Sequence, residues 1–226
     1  MLIEEEVEMF NMAIREIKTI FYMYNRRILI LLIIPFIFTL TNTTSDFFSF
    51  YLLLGGIMVL ATPEMDAREK SNILILSAPC KRYEYVLGKF LAMLIWITGL
   101  IISGVIINVL LHSLIPNGVE NVKFSTIKLL PAYLILFISI YYFVYFAFSQ
   151  KVAKVWYYIT FIVVMIVMTG ASEILEGNIF TEKLTWLGGF LNSTSIVNNI
   201  IFIGILLAFV GILGTISVAV YEKKDF

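Results

Sequence analysis

Residues 63–89 read PEMDAREKSNILILSAPCKRYEYVLGK, and the reading of the whole chain turns on them. This stretch holds nine charged side chains in 27 residues, whereas the full 226 residues hold 32, of which 16 are basic and 16 acidic. Both flanks are long apolar runs, so the stretch is a polar connector between two hydrophobic segments. With 60% apolar and 14% charged residues, the chain has the composition of an integral membrane protein.

Working outward, the ionisable residues leave six charge-free windows: 28–45, 47–63, 90–119, 129–150, 155–172 and 184–221. Each reaches at least 17 residues, and a helix needs about 20 to cross a hydrocarbon core of roughly 30 Å. In lipid the backbone satisfies itself only as helices or as a closed barrel, and continuous apolar runs select helices. The expected fold is all-α and polytopic, with six transmembrane helices over 28–40, 47–62, 86–111, 130–148, 155–170 and 196–221. Pro35 bends the first of them. The 184–221 window counts as one span, because Gly188-Gly189 and Asn192 to Ser195 interrupt its first third.

Residues 5–27 precede these spans as an amphipathic helix. Phe10, Ile14, Ile17, Phe21 and Tyr24 recur at helical spacing, with Arg15 and Glu16 expected on the far side and Lys18 on the flank. Two readings follow: an interfacial elbow that turns into the first span at Arg26-Arg27, or a plain extension of that span. The elbow is the expectation. Residues 171–195 mix apolar and acidic side chains and read as one or two short pieces on the outer face. The chain is therefore expected to be one transmembrane domain over 1–226, with 5–27, 63–89 and 171–195 as its elbow, cytoplasmic loop and outer loop.

Orientation follows from the basic residues. With six spans and an inner N-terminus, thirteen lie inside and only Lys123, Lys128 and Lys183 outside. Both termini and the 63–89 connector are then cytoplasmic. Glu4, Glu5, Glu6 and Glu8 take the place of a signal peptide's basic region. The single cysteine, Cys80, can make no internal disulfide. Zero net charge and the lack of a basic patch argue against nucleic acid as a partner.

Catalytic chemistry finds no support. No expected span carries an acid or base at mid-membrane, which argues against a proton-coupled carrier. The lone histidine, His112, reads as a solvated cap with no metal-ligand spacing around it. A GxxxxGK[ST] phosphate loop is lacking, since Gly88-Lys89 is followed by Phe90. Gly99 with Ser103, and Gly204, Ala208, Gly211 and Gly214, place small residues on helix faces, where they are expected to serve packing within the chain rather than a dimer seam.

The connector itself divides in two. Residues 64–70 form a short charged helix candidate leaving the second span, Pro79 breaks the run, and 80–89 restart a helix leading into the third. From Ile75 to Phe90 the sequence resembles the loop of ABC-2-type transporter permeases, whose pattern is roughly LLSLPVSRxEIVLGKYL. Ser77, Pro79, Arg82, Glu84, Val86, Leu87, Gly88 and Lys89 match it, whereas Ala78, Cys80 and Lys81 depart from it. The ending Glu222 to Asp225 and the six-span layout are similar to the family as well.

The resemblance implies a permease subunit in a bacterial cytoplasmic membrane, without catalytic residues, metal or cofactor of its own. It implies two cytoplasmic ATPase subunits as partners, which bind ATP and magnesium, and a second permease copy, expected to be identical, with the first and fifth spans along the seam. It implies Asp66, Glu69, Asn72, Ser77, Pro79, Lys81 and Arg82 as the surface that couples ATP hydrolysis to export. Basic residues at inner helix ends also have a simpler role as headgroup anchors, which applies to Lys81, Arg82 and Lys89. The expected cargo is amphipathic or hydrophobic, by family analogy a peptide. The competing reading is a membrane assembly or sensor subunit that docks a cytoplasmic partner through 63–89.

Overall fold

A computed structural model of the chain describes residues 2–24, 33–37, 47–68, 81–115, 122, 124–148, 152–163 and 195–223. Every regular element among the described residues is helical. We number them α1 (Leu2–Tyr24), α2 (Phe47–Arg68), α3 (Arg82–Leu114), α4 (Phe124–Ala147), α5 (Val152–Val163) and α6 (Ile196–Glu222). Residues 33–37 form a further short helical stretch.

Three of these helices, α3, α4 and α6, are long and apolar enough to cross a bilayer, and they correspond to the third, fourth and sixth expected spans. The apolar part of α2, Phe47–Pro63, is shorter, as is α5. Most of the expected first span, the second half of the fifth and nearly all of 171–195 lie outside the described residues. At 33 residues, α3 is about 50 Å long, well beyond a core of roughly 30 Å, so several turns of it stand outside the hydrocarbon.

Helices α2 and α3 form an antiparallel pair, fixed by contacts that descend one helix as they climb the other. Trp96 donates its indole N–H to the Gly55 carbonyl at 3.1 Å, and Tyr51 and Ser103 share a hydroxyl hydrogen bond of 2.8 Å. Gly55 is what admits α3 so closely: a Cβ there would sit 2.3 Å from Leu100 Cδ1. Helix α2 also continues through Pro63 to Arg68. A proline lacks the N–H that would bond the carbonyl four residues earlier. That carbonyl, of Val59, instead accepts the Thr62 hydroxyl at 2.9 Å and the Tyr142 hydroxyl at 3.5 Å.

The buried core lies where α2, α3 and α4 meet, around Leu52, Met93, Ile97, Leu134 and Ile138. Helix α6 lies against α3 and α4 through one narrow face, Val210, Gly214, Ser217 and Tyr221. Gly214 belongs to this face, near Leu87 and Phe90. The expected small-residue stripe divides here. Among the described residues, nothing lies within 4 Å of where a Cβ would stand on Gly204 or Gly211, about a quarter turn away on the helix, or on Gly99. At those three positions the described residues supply no packing partner.

Candidate functional site at the α1–α3 junction

The end of the polar connector is the start of α3, and its sequence explains how it is held. Lys81 is the N-cap. Its backbone N–H is bonded at 2.9 Å to the carboxylate of Glu84, three residues on, so an otherwise orphaned donor at the helix start is satisfied by a side chain reaching back. Glu84 is fully buried; its second oxygen has no hydrogen-bond partner among the described residues. The carboxyl group lies at the positive end of the α3 dipole.

Two contacts then tie this first segment of α3 to distant parts of the chain. Arg82 donates to the backbone carbonyl of Glu222 at 3.1 Å, placing a cation on the negative C-terminal end of α6. Tyr85 packs between Phe146 of α4 and Tyr221 of α6, and Phe146 and Tyr221 meet edge to face with centroids 5.2 Å apart.

One turn further, Gly88 presses against α1: an added Cβ would lie 2.9 Å from Met12 Cβ and 3.6 Å from the backbone nitrogen of Ala13. Next to it, Lys89 Nζ forms an ion pair of 2.8 Å with Glu16 of α1, with side-chain exposures of 1% and 6%. Arg15 takes the other carboxylate oxygen at 3.3 Å, and the Lys89 ammonium lies 5.2 Å from the centroid of the Tyr85 ring. A buried charge survives only when paired and hydrogen-bonded, and here both carboxylate oxygens and the ammonium have partners.

Helix α1 runs alongside α3 rather than across it. Ala13 lies by Gly88, Glu16 by Lys89, and Phe21 stacks edge-on to Trp96 at 5.3 Å. Eight residues of travel on each helix correspond to about 12 Å on both. Two sequence expectations are corrected at this junction. Glu16 is not on the far side of α1 but in the contact, together with Ala13 and Ile20. Of the expected apolar face, Phe10 and Phe21 are 50% and 51% exposed, whereas Ile17 is partly buried against the core. Lys89 likewise does not serve as an exposed headgroup anchor. The physical reason is Gly88, which brings the two backbones together so that Lys89 is enclosed and requires a buried anion. A second stripe, Met9, Ala13, Glu16 and Ile20, with one acid among apolar residues, is the signal that could have revealed this face.

Of the residues expected to couple to an ATPase, Lys81 is exposed and donates to the Tyr83 hydroxyl at 3.3 Å, and Arg82 holds α6 as described. Asp66 lies on the last turn of α2, and its side chain is outside the described set. Glu69, Asn72, Ser77 and Pro79 lie outside the described residues. The site as seen is thus the exit of the connector, bound on one side to α1 and on the other to α6.

Residues 11–222 match the family model described as ABC-2 family transporter protein, a stretch reaching from α1 to the last residue of α6. No curated protein and no solved structure matches the chain.

Proposed function

We propose that this chain, which belongs to the ABC-2 family of transporter proteins, is the membrane subunit of an exporter driven by a separate cytoplasmic ATPase. Residues 63–89 receive the mechanical input, and Asp66, Glu69, Asn72, Ser77, Pro79, Lys81 and Arg82 form the contact. The functional unit is a pair of permease chains with two ATPase subunits, and the cargo is amphipathic or hydrophobic, of the peptide class.

The observation that carries this reading is the anchoring of the connector's exit. The first two turns of α3 are bound to α6 through Arg82 and Glu222 and to α1 through Lys89 and Glu16. A push on the connector therefore cannot be absorbed by local fraying; it moves three helices together. The apolar outward residues on 33–37 and α5, such as Ile34, Ile37, Tyr158 and Ile162, support a seam along the first and fifth spans between two chains.

ATP hydrolysis by the chain co-assembled with its ATPase subunits tests the reading. The complex is expected to hydrolyse ATP and the purified chain alone is not. The triple change Asp66→Lys, Glu69→Lys and Pro79→Ala is expected to abolish export while the complex still hydrolyses ATP. Normal export by that variant would remove the connector from the mechanism.

A further inference from the structure

Beside Trp96, α1, α2 and α3 line a pocket of about 320 Å³ that is open on one side. Ile17 and Phe21 form its α1 wall, Tyr51 its α2 wall, and Trp96, Gly99 and Ser103 a strip of α3. From Trp96 to Ser103 that strip is about 10 Å long. Gly99 leaves room in it, because among the described residues no atom lies within 4 Å of its missing Cβ.

The chemistry of the wall selects what enters. Trp96 already gives its N–H to Gly55, and the hydroxyls of Tyr51 and Ser103 bond each other. Ser103 is further engaged with the Gly99 carbonyl at 2.7 Å. The polar groups on the walls are thus already partnered, which makes this a poor place for water or a headgroup and a good one for hydrocarbon. An apolar cavity of roughly 150 Å³ stays dry and takes benzene, and this one is about twice that size. Phe21 of its wall is half exposed, and Ile102, which precedes Ser103 on α3, is exposed as well, apolar surface of the kind that a bilayer covers.

One end of the cavity is marked by charge. Lys18 is exposed and stands three residues before Phe21 on the same helix edge. Because α1 and α3 run together, Lys18 lies between the level of Lys89 and that of Trp96, at the end away from Ser103. Arg15, Lys18 and Lys89 outnumber Glu16 there, so the local charge is positive.

We propose that this cavity holds one hydrocarbon chain of an anionic membrane phospholipid, whose phosphate rests on Lys18. The site is independent of the export reading and needs only the full chain in a bilayer, so the two can fail separately.

Fluorescence quenching provides the test. Trp156→Phe with Trp186→Phe leaves Trp96 alone among the three tryptophans. The chain is placed in vesicles of equal phosphatidylglycerol and phosphatidylcholine, with bromine on the acyl chains of one lipid or the other. A basic residue near the surface favours anionic lipid by about fivefold, and brominated phosphatidylglycerol is expected to quench Trp96 with that preference. Lys18→Gln should abolish the preference, and Gly99→Phe, which fills the cavity, should lower quenching by both lipids. Phe21→Ala, which opens the rim, should raise it and serves in place of Gly99→Phe if that variant fails to fold. Equal quenching by the two lipids would overturn the proposal, as would quenching unmoved by the cavity variants.

Discussion

Helices α4 and α6 are both apolar from end to end, yet 67% of the span of α4 is buried inside the chain against 17% of that of α6. In water such a difference would be legible in composition. In lipid it is not, because acyl chains solvate leucine and isoleucine as well as a protein core does. What separates packed from lipid-facing surface here is close approach and paired polarity. The junction of α1, α2 and α3 has both, in Gly55, Gly88, the Trp96 indole and the Glu16–Lys89 pair. The outward face of α6 has Gly204 and Gly211, which no described residue approaches.

The largest effect should come from breaking the ion pair alone. Lys89→Met leaves the Glu16 carboxylate buried without its main partner, and removing one member of a buried pair costs about 3–5 kcal/mol. The double change Glu16→Leu with Lys89→Met should recover most of that loss, as read by thermal unfolding in detergent. A single-variant cost no larger than that of a surface change would mean that the pair is not buried in solution.

The comparison sharpens with glycine substitutions. Gly55→Leu must displace Leu100 and is expected to cost about 1–3 kcal/mol by overpacking. Gly211→Leu on the outward face of α6 should stay within about 0.5 kcal/mol in the same assay. Equal costs would show that α6 is covered by another chain under the conditions used. Trp96→Phe should cost about 1 kcal/mol through the lost bond to Gly55. Arg82→Gln, at the end of α6, should cost about 0.3–1 kcal/mol and less as salt is added.

These differences also mark how far the sequence can be read. The expected spans located the ends of α3, α4 and α6 to within six residues, and the sixth begins at Ile196 as expected, because hydropathy reports which segments leave water. The match over 11–222 agrees with the resemblance carried by Ser77 to Lys89. Hydropathy does not report which face of a helix meets protein. Phe10, Ile14, Ile17 and Phe21 formed the more conspicuous stripe of α1, and its two phenylalanines are about half exposed. The partner of Lys89 lies 73 residues away, and no local pattern links the two. Gly88 stood in the motif as a matching letter, whereas its role, admitting α1, appears only once both helices are placed.

The central claim is that the connector's exit acts through the buried pair. Its most direct test is a charge exchange measured as the rate of export by the chain assembled with its ATPase subunits in vesicles. Glu16→Lys and Lys89→Glu, each alone, are expected to reduce the rate severely. The double variant Glu16→Lys with Lys89→Glu restores opposite charges across the same contact and is expected to recover much of it. Full activity in both single variants would contradict the account, as would a double variant no better than the worse single one.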